Sequence, residues 1–117
     1  MLLAMLALVL MSCTQEAEPG QIEPTGEVKE FFIVAKNWEF SPPMIKVNAG
    51  DTVKLHVNTI EGTHGFLISE FGINRRLEPG EEQEIVFMAD KKGNFSMVCS
   101  VYCGSGHGGM RGVLVVE

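Results

Sequence analysis

A chain of 117 residues has room for one domain with one modest hydrophobic core. Its 45% hydrophobic share fits a globular fold, although the N-terminus raises the figure. The net charge of −6, from 15 acids against 9 bases, comes with no basic patch, which argues against a nucleic-acid partner.

The chain opens on Met1–Met11, eleven apolar residues without a break. At 1.5 Å per residue they reach about 17 Å, too short for a hydrocarbon layer of about 30 Å. Residues 1–12 therefore read as an export signal. The signal ends in Leu10-Met11-Ser12-Cys13, which resembles the lipobox of bacterial lipoproteins, although no Lys or Arg precedes the apolar run. The resemblance implies cleavage before Cys13, lipidation of that cysteine and a domain anchored to the outer face of the cytoplasmic membrane. An ordinary cleaved signal with an incidental cysteine is the alternative. Residues 13–27 then form an acidic tether. Between Thr14 and Glu30 five acids face one lysine, giving −4, while ten acids face eight bases from Phe31 onward, giving −2. Pro19, Gly20, Pro24 and Gly26 keep this stretch from packing. A flexible segment of that length spans roughly 20 Å.

From residue 28 to residue 117 the signals are strand and turn. Val28–Phe40 is rich in Phe, Ile and Val and stops at Pro42-Pro43. Met44–Val47 ends at Asn48-Ala49-Gly50-Asp51. In Thr52–Asn58, Val53, Leu55 and Val57 alternate with Lys54, His56 and Asn58, the period of a half-buried strand. His64–Ser69, Glu84–Met88, Asn94–Val98 and Gly112–Val116 complete the set, with a turn at Glu78-Pro79-Gly80-Glu81. No segment has a helical period. The pattern predicts an all-β, antiparallel sandwich of about seven strands.

The chemistry gathers in Cys99-Ser-Val-Tyr-Cys103-Gly-Ser-Gly-His107-Gly-Gly-Met110, a loop between the last two predicted strands. Thiolate, imidazole and thioether together form the ligand set of copper sites. One Cys, one His and a weak Met would suit a mononuclear site, whereas two thiolates can bridge two metal ions. Each ion then needs an imidazole, and His64, at the start of a strand after a turn, is the second candidate. A Cys99–Cys103 disulfide is the competing expectation for an exported chain, but it leaves His64, His107 and Met110 without a role. His56 lies on the polar face of its strand and is expected to be solvated. Met44, Met88 and Met97 are expected to be packing residues. Trp38 is the only tryptophan.

Cys99-x3-Cys103-x3-His107-x2-Met110, preceded by Thr63-His64-Gly65-Phe66, resembles the CuA domain of cytochrome c oxidase subunit II. Nitrous oxide reductase carries a similar domain. The resemblance covers Phe31–Glu117 and implies a cupredoxin-like Greek-key sandwich holding a dinuclear, mixed-valence copper centre. It implies that Cys99 and Cys103 bridge the two coppers and that His64 and His107 bind one each. Met110 and the carbonyl of Val101 are implied as weak ligands, and Trp38 as a candidate for electron entry. The implied partners are an electron donor, cytochrome c or a blue-copper protein, and a haem–copper oxidase subunit I. The side chain between the cysteines, acidic or an amide in that family, serves a magnesium site shared with subunit I. Val101 can offer only its carbonyl, which leaves two alternatives: a stand-alone tethered CuA carrier and a copper-holding accessory protein. A Sco-like chaperone, thioredoxin-like with early cysteines and later helices, does not match this order.

Overall fold

The computed structural model describes residues 21–117; the export-signal segment 1–12 and Cys13 lie outside them. Nine strands follow one another: β1 (Val28–Lys36), β2 (Glu39–Ser41), β3 (Met44–Val47), β4 (Thr52–Thr59), β5 (His64–Ile68), β6 (Ile73–Leu77), β7 (Gln83–Met88), β8 (Gly93–Val98) and β9 (Arg111–Val116). Two short 3-10 turns, Ser69–Phe71 and His107–Gly109, are the only helical pieces among the described residues.

The strands form two packed sheets in the orders β2-β1-β4-β7 and β3-β9-β8-β5-β6. The alternation in β4 sets the packing. Val53, Leu55 and Val57 are fully buried, and the residues between them face outward. Strands β5, β8 and β9 supply the opposing face through Phe66, Met97 and Leu114, each without exposed surface. Burying a side chain of this size contributes roughly 1.5–3 kcal/mol, so these few positions account for much of the adhesion between the sheets. Phe40 on β2 meets Phe66 on β5 edge to face, with centroids 5.5 Å apart, which links the sheets close to His64.

Two features depart from the sequence expectation. The sheets are mixed: β1 pairs in parallel with β4, and β3 with β9. After β2 the chain crosses at Pro42-Pro43 to join the second sheet as β3. It then returns through the 48–51 turn to lie beside β1 in the same direction. Strand β6, Ile-Asn-Arg-Arg-Leu, was not predicted. Only its two ends are buried and three polar residues in succession face out, so it carries no period-2 signal. It is an edge strand that pairs only with β5.

The end of the expected tether is bonded to the domain. The Thr25 backbone N–H donates to the Gly50 carbonyl at 3.0 Å, and the Thr52 N–H donates to the Glu27 carbonyl at 2.9 Å. Buried Asp51 completes the attachment. It accepts from the Thr25 hydroxyl at 2.6 Å, the Lys29 ammonium at 3.0 Å and the Asn48 N–H at 2.8 Å. These donors hold its carboxyl well below the usual range, at about 2, the Thr25 hydroxyl contributing most.

Candidate metal centre

The sheet order brings the site together. β9, β8 and β5 lie side by side, and β8 is antiparallel to both neighbours. The start of β5, the end of β8 and the start of β9 therefore meet at one pole. His64 is the first residue of β5, Cys99 follows β8 and Met110 precedes β9. The Cys99 N–H donates to the Met110 carbonyl at 3.3 Å, tying the base of the loop one step beyond the β8–β9 ladder.

The loop folds over this base by its own backbone bonds. The His107 N–H donates to the Gly104 carbonyl at 3.1 Å, and the Met110 N–H donates to the His107 carbonyl at 3.3 Å. Gly104 has φ +119°, a conformation that side chains resist. Gly65 serves a different need, because a Cβ there would lie 2.7 Å from the Val101 nitrogen. Its absence lets β5 run against the Ser100-Val101 backbone, and the Gly65 N–H donates to Cys99 Sγ at 3.5 Å. A glycine inside a strand is the sequence signal of such an approach.

Five soft or borderline donors converge here. Cys99 Sγ and Cys103 Sγ are 3.3 Å apart as free thiols, so no disulfide joins them. His107 Nδ1 lies 3.4 Å from Cys103 Sγ, and Met110 Sδ lies 3.9 Å from it. His64 Nδ1 is 3.9 Å from Cys99 Sγ, and donor atoms of His64, Cys99 and Cys103 all lie within 4.8 Å of one another. The Val101 carbonyl oxygen is 3.1 Å from Cys99 Sγ. His64, Cys99 and Met110 are buried, while Cys103, His107 and Val101 are half-buried.

The tautomer of His64 follows from its other nitrogen. Nε2 lies 2.7 Å from the Glu61 carbonyl oxygen. A carbonyl can only accept, so Nε2 carries the proton and Nδ1 presents its lone pair to the thiols. Burial, together with the neighbouring Cys99 thiol, pushes the Cys103 thiol up to about 11. A metal entering at neutral pH must displace that proton.

The other candidates lie elsewhere. Met97 is core, but Met44 is 54% exposed, because β3 is an edge strand and Met44 points away from the sandwich. His56 is far less solvated than its face suggested, with 13% of its side chain exposed. Its ring stacks on Phe32 at 4.5 Å between Glu82 and Glu30. Trp38 joins the site: its indole Nε1–H donates to the Cys103 carbonyl at 2.8 Å. Neither that bond nor the Glu61 carbonyl behind His64 leaves a local signal in the sequence.

Two thiols, a thioether and two imidazoles suit copper. Two thiols and two imidazoles alone would also serve tetrahedral zinc; the buried Met110 thioether 3.9 Å from Cys103 Sγ is the soft ligand that favours copper. The cupredoxin-like domain family matches residues 2–116. Cytochrome c oxidase subunit 2 of Thermus thermophilus is 28% identical over 103 residues, 86% of this chain and 76% of that protein. Nitrous-oxide reductase of Ralstonia nicotianae is 36% identical over 108 residues, 89% of this chain but 17% of the reductase. A heme-copper terminal oxidase dimer solved by cryo-EM superposes with a TM-score of 0.71 at 27% identity, over 91% of this chain and 78% of that chain.

Proposed function

This chain belongs to the cupredoxin-like domain family, and we propose that it transfers electrons through a dinuclear copper centre as a subunit II-like component of a terminal oxidase. The observation that carries this reading is the pair of free thiols 3.3 Å apart, with one imidazole nitrogen near Cys99 from the head of β5 and another near Cys103 from the ligand loop itself. Cys99 and Cys103 would be shared between the two metal ions. His64 Nδ1 and His107 Nδ1 would complete one ion each, with Met110 Sδ and the Val101 carbonyl as the weaker donors.

The copper pair, when bound, supplies a one-electron couple whose charge is spread over two metals. The chain's own work is to keep the ligands still. His64 is locked through Nε2, Cys99 and Met110 are buried, and the loop is closed by its own backbone bonds. A pre-formed ligand shell lowers the rearrangement each electron requires. No acid, base or nucleophile is needed.

Electrons would arrive from a cytochrome c or blue-copper donor and leave toward haem in a partner subunit. The domain would work outside the cytoplasm, anchored through lipid on Cys13. No helix among the described residues is long and apolar enough to cross a membrane. Val101, with no carboxylate or amide to offer a partner's metal, favours a second reading, a stand-alone tethered carrier.

Copper loading of the full chain tests the centre. Two coppers per chain, with EPR hyperfine structure from two equivalent nuclei, are expected. One copper with single-nucleus hyperfine structure, or zinc retained in preference, overturns the reading. Mass spectrometry of the mature N-terminus should show acylated Cys13, and a mature chain beginning beyond it removes the anchor. Purification from native membranes separates the two readings, since only the first predicts a haem-bearing partner.

A further inference from the structure

Trp38 contacts the ligand loop from outside it. The residue stands in the β1–β2 turn, on the sheet opposite to the ligands, yet it reaches the loop in two ways. Its indole N–H donates to the Cys103 carbonyl, and its ring lies against Gly106. A Cβ at Gly106 would meet Trp38 Cγ at 2.5 Å and Cε3 at 2.6 Å, distances that no real contact tolerates. Gly106 has φ −93° and ψ 5°, the conformation of the third residue of a type I turn, which is open to residues with a side chain. Backbone freedom therefore does not explain this glycine; room for the indole does. The same turn reaches the other side of the site. The Asn37 N–H donates to the Glu61 carboxylate at 3.0 Å, and the Glu61 carbonyl accepts from His64 Nε2. One turn thus ties the Cys103–His107 segment to the loop that orients His64.

We infer that Trp38 is a positioning residue, which clamps the Cys103–His107 segment into its ligand-ready shape before metal arrives and tunes the bound centre through the Cys103 carbonyl. This rests on the copper reading above only for its effect on the loaded centre; the clamp itself belongs to the metal-free chain. Electron entry through Trp38 is a separate role and would change transfer rates alone. The hydrogen bond draws electron density from the Cys103–Gly104 peptide, so its loss should favour the oxidised state and lower the midpoint potential. Outer partners of metal ligands typically influence affinity by 10–100-fold.

Five full-length chains test the clamp: wild type, Trp38→Phe, Gly106→Ala, Trp38→Ala and the double variant Trp38→Ala/Gly106→Ala. In metal-free protein, amide exchange at Gly104–His107 should be faster in Trp38→Phe and Gly106→Ala than in wild type, with β4 and β9 unchanged. In loaded protein, Trp38→Phe keeps a ring over Gly106 and loses only the N–H. It should bind copper about tenfold more weakly, with a lower midpoint potential and altered copper hyperfine structure. Gly106→Ala should weaken copper binding to a similar degree in the wild-type background and have no further effect in Trp38→Ala, because the collision has been removed. Additive effects of the two substitutions, or Trp38→Phe with wild-type exchange, potential and spectrum, overturn the inference. If wild type holds only one copper, the dinuclear reading fails, and exchange and non-additivity still decide the clamp.

Discussion

The two poles of the sandwich treat buried polar groups in opposite ways. At the pole of the 48–51 turn, Asp51 is fully buried, and both carboxylate oxygens have partners from Thr25, Lys29 and Asn48. At the other pole, Cys99, Cys103, His107 and Met110 gather mainly around one another, with His64 Nδ1 turned toward the group and its proton disposed of on the far side. The first cluster is closed and needs nothing more. The second brings atoms of His64, Cys99 and Cys103 within 4.8 Å of one another, with His107 and Met110 beside Cys103. A closed network adds stability and fixes the chain, whereas a convergent set of soft lone pairs is what a metal requires.

The largest test of that contrast is Cys103→Ser. A hydroxyl is a poor substitute for the bridging thiolate proposed for Cys103, so copper affinity should fall by more than the 10–100-fold expected for an outer partner, and the shared EPR signal should vanish. Thermal unfolding of the metal-free chain should barely change. A Cys103→Ser chain that still showed an electron shared between two coppers would refute the bridge.

Asp51→Asn attacks the closed pole and should do the reverse. It leaves the Lys29 ammonium without its buried counter-charge, so the unfolding midpoint should drop while copper per folded chain stays constant. The pH dependence has a defined sign. The folded carboxyl titrates at about 2 against an ordinary 3.8, so its stabilisation is fully present above about pH 4 and is lost as pH falls through 2. The stability gap between wild type and Asp51→Asn should therefore close over that window in acid unfolding curves.

Met110→Leu separates packing from ligation within the open pole. Met110 is 1% exposed, and the swap nearly conserves volume, so stability should change by less than about 1.5 kcal/mol. Both coppers should remain, with a shifted midpoint potential in voltammetry. An unchanged potential would reduce Met110 to a packing residue.

His56→Ala, on the outer face of β4, should have the smallest effect and leave copper content untouched. Equal loss of copper would mean that the wrong histidine has been placed in the site. The hydrogen bond that His56 Nδ1 donates to the Glu82 carboxylate, helped by Glu30, raises the His56 pKa above 6.5. Its stabilisation is therefore present below pH 6.5 and lost as pH rises through the folded value. The stability gap between wild type and His56→Ala should narrow at alkaline pH, leaving the loss of the Phe32 stack.

Much of this protein was legible in its sequence, because much of it is local. Alternation in Thr52–Thr59 marks a strand and its buried face, since successive side chains point to opposite sides whatever lies beyond. The spacing of Cys99, Cys103, His107 and Met110 names the donors, because one short loop holds them all. Other features depend on what the chain meets in space. Strand β6 carries no period of its own and exists because β5 offers it an edge. The parallel pairing of β1 with β4 is decided by a crossover between sheets, which no local pattern records. His64 was a candidate from its type and neighbours, but the nitrogen it presents is chosen by the Glu61 carbonyl. Trp38 lies 65 positions before the residue it bonds, and Gly106 looks like any loop glycine until the indole is seen against it. Residue types and periods write the strands and the donor set into the sequence. Orientation, protonation and clamping arise only when distant backbone groups are brought within a few ångströms, where hydrogen bonds and collisions act.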